Sequence, residues 1–259
     1  MCRSYGILTS TPFTVASPSI TTRTYLLPSI RLISTRSLRE GSTWIVAFSV
    51  SITNFFGSTT VDASINEGLI RGWGLSLVDV DTISKAHTVT PLSAIQNIYS
   101  MVERGIEAEV IPFCLAHDIG VVPFSPIASG FLSGKVSAAT DFSHSDDVRK
   151  HVPQLSKENI DANRPILDLI RQYAERKNAT NAQISLAWML HKYPNVVPIP
   201  GSKNQERILE NLDAWSVVLT DEEFMALDAA LDALPVHGHR GFVQFEGSRM
   251  EDWNKRENG

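Results

Sequence analysis

The sequence predicts an α/β fold of parallel strands with helical crossovers, with about four βα units, half the number in an eight-fold TIM barrel. Two observations carry the prediction. After residue 65, short apolar runs alternate with amphipathic helical segments, and four β-then-α units in series call for parallel strands joined by helical crossovers. The totals are those of an ordinary globular chain: 259 residues, 43% hydrophobic, 20% charged, net charge −5. That length suffices for one large domain, or for one domain plus a tail.

The elements follow in order. "IRGWGLS" (Ile70–Ser76) reads as a strand ending in Ser, and "DVDTISKAHTV" (Asp79–Val89) as the helix after it, with Asp79 or Asp81 as N-cap. "LSAIQNIYS" (Leu92–Ser100) is a second strand, and "GIEAEVIPFCLAHD" (Gly105–Asp118) is helical apart from its Pro. "IGVVPFSP" (Ile119–Pro126) is the third strand, followed by a loop-rich insert at Ser133–Asp161. Helices at Arg164–Lys177 and Asn181–Tyr193 lead to a fourth strand, "NVVPIPG" (Asn195–Gly201). Two helices close the series, at about Gln205–Ala214 and Asp221–Leu234.

The first sixty residues have a different texture, which divides the chain into 1–60 and 61–259. They contain five Arg, no Lys and one acid, Glu40, a balance of +4 that leaves −9 on the rest. They are crowded with Ser and Thr and show no sustained 3.6- or 2-residue pattern. A tail or a misassigned start of the reading frame stands ahead of an organelle transit peptide as the account of that composition. "WIVAFSVSITNFF" (Trp44–Phe56) is too short to span a bilayer, which needs about 20 residues, and reads as a strand or buried segment. Neither Cys2 nor Cys114 sits in a CxxC or metal-ligand spacing, so a reducing, cytoplasmic setting without disulfide or zinc is expected. The acidic balance gives no reason to expect nucleic acid, and no segment reads as membrane-spanning.

Ligand sites in parallel α/β folds lie at the C-terminal ends of the strands. The residues to question are therefore Ser76, Gln96–Ser100, Phe124–Ser125 and Gly201–Lys203. In "VVPIPGSKNQERILEN" (Val196–Asn211) an apolar run meets a Pro-Gly turn, then a Ser, a Lys and a helix. Free N–H groups at a helix start attract anions. Lys203 adds a charge, and Arg207 can grip a phosphate with two parallel hydrogen bonds. Arg207, Glu210 and Asn211 share one helical face, with Ile208, Leu209 and Leu212 as the opposite, core-facing stripe. Glu210 and Asn211 offer the mixed donors and acceptors that an adenine edge needs. An ordinary solvated face with an i, i+3 ion pair explains the same spacing. "FSPIASGFLSGK" (Phe124–Lys135) offers an aromatic for a flat ring and small residues for close backbone approach, or a plain loop. Gln96, if buried, needs a hydrogen-bond partner, which a cofactor carboxamide or a neighbouring backbone would supply.

Together "GLIRGWGLS", "AIQNIYS", "GVVPFSPIASGFLSGK", "AQISLAWML" and "VPIPGSKNQERILENL" resemble the aldo-keto reductase family, in its order and spacing, from about Ala63 to Leu234. "ENIDANRPILDLI" resembles the branch with pyridoxal-reductase-like members. The resemblance implies the second half of an (α/β)8 barrel that binds NADPH without a Rossmann glycine motif, and no GxGxxG is present. It implies that Ser76 and Gln96 hold the nicotinamide carboxamide and that Phe124 stacks on the ring. Ser125, Ile127, Gly130 and Leu132 would line the pyrophosphate. Gly201, Ser202, Lys203 and Arg207 would take the 2′-phosphate, with Glu210 and Asn211 at adenine. Leu77 departs from the family, which usually has Asn there.

A larger departure lies upstream. Family chemistry uses an Asp, Tyr, Lys and His tetrad from the first four strands, with Tyr as proton donor, and the Asp and Tyr belong to D-T-A-x-x-Y-G. No such string exists here. "DASINEG" (Asp62–Gly68) has Glu67 in the Tyr place and lies too close to the next strand motif. Tyr5, Tyr25 and Tyr99 have no suitable context, and His87, His117 and His191 fall on predicted helices. No catalytic residue is therefore assigned. Three readings stay open: an NADPH-dependent reductase of a small carbonyl substrate, a non-catalytic NADP(H)-binding or regulatory remnant, and a truncated gene product. Half a barrel leaves two strand edges unpaired, which a second copy of the chain would close as a homodimer.

Overall fold

The computed structural model describes residues 61–62, 65–68, 70–144 and 147–240, and the strand backbones of residues 20–27, 30–37 and 43–48. The chain divides into two compact units, residues 1–97 with 113–121, and residues 98–112 with 122–259.

The first unit is organised by a six-stranded sheet in sequential order. β1 (Ile20–Leu27), β2 (Ile30–Ser37) and β3 (Thr43–Phe48) pair antiparallel. β3, β4 (Gly72–Ser76), β5 (Ala94–Gln96) and β6 (Gly120–Val121) pair in parallel. The sheet thus runs across residue 60. Three strands lie where the sequence shows no alternating pattern, because Thr- and Ile-rich runs carry strand preference without a clean period of two. β3 falls inside the expected apolar segment Trp44–Phe56, whose residues 49–56 lie outside the described ones. So do residues 1–19, with Cys2, Tyr5 and most of the stretch weighed as a tail or leader.

Helix α1 (Val80–Val89) crosses from β4 to β5, and Asp79 caps it by accepting from the Thr82 N–H at 2.9 Å. Ile83 and Ala86 bury its inner face, and Trp73, Leu75, Ile95 and Val121 add the sheet's apolar side chains. Gly74 is required where β4 meets β5: a Cβ there would collide with the Ala94 carbonyl oxygen. Helix α2 (Val110–Ala116) precedes β6. Cys114 on it is a free, buried thiol, which burial pushes up to about 11.

The second unit is mainly helical. α3 (Lys157–Ala162), α4 (Arg164–Lys177), α5 (Asn181–Lys192), α6 (Gln205–Leu212) and α7 (Asp221–Asp232) follow one another. Capping boxes start α5 at Thr180 and α7 at Thr220. Ile184, Leu186, Trp188 and Met189 bury most of α5. An ionic cluster ties its end to its neighbours: Lys192 Nζ lies 3.0 Å from Asp228 and 3.1 Å from Glu107, and Arg104 lies 2.9 Å from Glu107 and 2.7 Å from Asp232. Tyr99 donates to Glu107 at 2.5 Å. Burial, reinforced by that carboxylate, holds the Tyr99 phenol far above its ordinary range.

Two expectations are corrected here. Asn195–Gly201 forms no strand beyond a bridge at Val196. Pro198 and Pro200 have no N–H to give, and Ile199 between them donates to the Pro123 carbonyl at 3.0 Å. The third strand is likewise only Gly120–Val121, with a further bridge between Phe124 and Ile98. The second correction concerns α6, whose stripe of Ile208, Leu209 and Leu212 faces outward, 48%, 57% and 72% exposed. The insert Ser133–Asp161 is built of 3-10 turns at Val148–His151 and Pro153–Leu155 and the start of α3.

Candidate functional site

In the first unit Ser76 ends β4 and pairs in register with Gln96 at the end of β5. Ser76 is buried, and its hydroxyl donates to the Gln96 carbonyl at 2.9 Å, leaving its oxygen free to accept. The half-buried Gln96 side chain makes no hydrogen bond among the described residues. Its amide can therefore offer a donor and an acceptor together. Beside them Leu77 is held in the left-handed region (φ 54°), with its N–H on the Gln96 carbonyl at 3.0 Å. An Asn tolerates that conformation far better than a Leu.

In the second unit Phe124 is half-buried, and Ser125 opens a run of left-handed backbone: Ser125 (φ 52°), Ala128 (46°), Ser129 (55°) and Gly130 (96°). Such turns aim successive N–H groups into a concavity that suits an anion. Part of that capacity is used within the loop, since Ala128 N–H bonds Ser125 O (2.8 Å), and Gly130 and Leu132 N–H bond Ile127 O (2.9 and 3.4 Å). Leu132 is fully buried, so its side chain belongs to the core, whereas Ile127 and Gly130 are half-exposed.

At the start of α6, Ser202 turns the chain through bonds with Asn204, and Asn204 caps the helix by accepting from Arg207 N–H at 3.0 Å. Gly201, Lys203 and Arg207 are exposed. Among the described residues neither the Lys203 nor the Arg207 side chain has a hydrogen bond or ion pair. Glu210 and Asn211 are half-buried on the inner side of the same helix. Glu210 accepts from the Thr180 hydroxyl at 2.9 Å and lies 3.5 Å from Lys135 Nζ, joining α6 to the end of the Phe124–Lys135 loop. Two residues here carry no sequence signal for the site: Lys135, and Arg240, which donates to Ser125.

Among the described residues no group of three or more His, Cys, Asp or Glu is placed to hold a metal ion, and no helix is long and apolar enough to cross a membrane.

The model of the Aldo/keto reductase family matches residues 55–232. "Probable aldo-keto reductase 1" of Glycine max is 33% identical over 189 residues, 73% of this chain and 53% of that protein. A glycerol dehydrogenase from Gluconobacter oxydans superposes with a TM-score of 0.67 at 24% identity, over 78% of this chain and 61% of that one. An aldo/keto reductase from Klebsiella pneumoniae, in complex with NADP and acetate, does so with a TM-score of 0.54 at 23% identity, over 77% and 62%. The chain belongs to the aldo/keto reductase family of oxidoreductases, and it spans about half the length of the soybean relative.

Proposed function

We propose that this chain binds NADP(H) and that, alone, it turns over carbonyl substrates at close to the background rate. The exposed cations Lys203 and Arg207 at the start of α6, without a partner among the described residues, carry the first half of that reading. They would hold the 2′-phosphate, with the Gly201–Ser202 turn beside them. Within the second unit the left-handed loop from Ser125 would face the pyrophosphate and Phe124 the nicotinamide ring. Asn211 and Glu210 would meet the adenine. NADP in the Klebsiella pneumoniae relative supports the choice of cofactor.

The bound nicotinamide supplies hydride chemistry. The protein's share is a proton for the developing alkoxide, and in this family a Tyr gives it. The sequence holds no D-T-A-x-x-Y-G, and the buried Tyr99 is tied to Glu107.

The test is a titration of intrinsic tryptophan fluorescence with NADPH and NADH. Saturable quenching by NADPH is expected, weakened roughly 30-fold in a Lys203→Ala, Arg207→Ala variant, as loss of charge-assisted bonds dictates. Absence of saturable quenching in the parent chain sinks the binding claim. NADPH consumption with a panel of aldehydes, pyridoxal included, is expected near background, and turnover at ordinary enzymatic rates refutes that half. Sequencing the 5′ end of the transcript decides the competing reading: a longer frame that supplies D-T-A-x-x-Y-G makes the full protein a reductase.

A further inference from the structure

The chain after α7 is fastened at successive residues. His237 N–H donates to Asn163 Oδ1 at 2.8 Å, Asn163 Nδ2 returns a bond to the His237 carbonyl at 2.8 Å, and the His239 carbonyl accepts from Gln154 N–H at 3.1 Å. Asn163 is fully buried, so these bonds are shielded from water. Gly238 between them has φ +72°, and a Cβ there would lie 2.9 Å from the Gln154 backbone nitrogen. Only glycine lets the segment lie this close.

The segment delivers Arg240. Its N–H donates to the buried Glu103 carboxylate, and its Nε donates to Ser125 Oγ at 3.1 Å. A serine hydroxyl has one proton and can accept as well as donate. With Arg240 donating to its oxygen, the Ser125 hydroxyl keeps its own proton to give, and no hydrogen bond among the described residues uses it. Ser125 is the first of the left-handed residues Ser125, Ala128, Ser129 and Gly130 in this loop.

We propose that Arg240 is a positioning residue for the dinucleotide: it fixes the Ser125 hydroxyl as a donor to the pyrophosphate. This rests on the NADP(H) reading above. Arg240 then acts on the diphosphate bridge, and Lys203 and Arg207 act on the 2′-phosphate, so two probes separate them. NADP+ carries both groups, and adenosine 2′-monophosphate carries only the second.

The experiment measures both affinities by calorimetry on the full chain and on Arg240→Met, Arg240→Lys, Ser125→Ala and the Arg240→Met, Ser125→Ala double variant. The expected result is a loss of about tenfold for NADP+ in each single variant, the scale of one charge-assisted bond. Adenosine 2′-monophosphate should change less than about twofold, and the double variant should lose no more than either single one. Equal losses on both probes, additive losses, or no loss on NADP+ overturn the proposal. Should Arg240→Met not fold, Arg240→Lys, which keeps the charge but not the Nε donor, reads the same loss. A parent chain that binds neither probe removes the NADP(H) reading and this proposal with it. A parent that binds both while the Arg240 variants match it removes this proposal alone.

Discussion

Helices α4 and α6 have the same kind of sequence and opposite placements. Each carries an apolar stripe at helical spacing. α4 buries its stripe through Ile166, Ile170, Tyr173 and Ala174. α6 turns Ile208, Leu209 and Leu212 outward and meets the protein with Glu210 and Asn211. The contrast teaches that an apolar stripe announces a need for cover without naming the neighbour. α6 is held instead from its polar side, by Glu210 on Thr180 and Lys135. That grip leaves Lys203 and Arg207 in the open.

The largest expected effect breaks the contrast if it fails. Ile170→Ala should lower the free energy of unfolding by about 3 kcal/mol, through lost burial and a cavity. Leu212→Ala should change it by less than about 0.5 kcal/mol. Urea unfolding of both reads the difference, and equal losses would mean that something covers α6 in solution. A middling effect sharpens the polar side of the comparison. Glu210→Ala should cost about 1.5 kcal/mol by stranding the Thr180 hydroxyl, and Thr180→Val on top of it should add only about the 1 kcal/mol of the lost α5 cap. Full additivity in that double-mutant cycle would show that the two side chains are not coupled. The smallest effect concerns a side chain at odds with its backbone rather than its surroundings. Leu77→Asn should raise stability by about 1 kcal/mol by relieving left-handed strain, seen as a higher melting temperature. An unchanged or lower value would remove strain from the account of Leu77.

Legibility in the sequence follows the local signals. α4 is legible to the residue because Pro165 sits in its first turn and Asn178 closes it in a left-handed cap. The capping box at Thr180 fixes the start of α5 in the same way. Apolar runs overstate the strands wherever they contain proline, as at Pro123, Pro198 and Pro200, because apolar character persists where ladder donors do not. β1 and β2 escape a sequence reading because their runs lack a clean period of two, whereas β3 falls inside the apolar segment Trp44–Phe56. At the site, the placement of Ser76, Gln96 and the Gly201–Lys203 turn near element ends is legible, whereas the register that pairs Ser76 with Gln96 is set by the sheet. The left-handed backbone around Ser125 and the reach of Arg240 are not legible either, since both are set by tertiary contacts between separated segments.

Thr180 links these themes. Its oxygen accepts the Gln183 N–H that starts α5, while its proton goes to Glu210. One hydroxyl therefore serves as the first rung of a helix and as the tether of another. A ligand that drew Glu210 away would unhook the tether but leave the rung. Its measured affinity would then be lower than its own contacts imply, by roughly the 1 kcal/mol of one forfeited hydrogen bond, and Thr180→Val would return that difference as tighter binding.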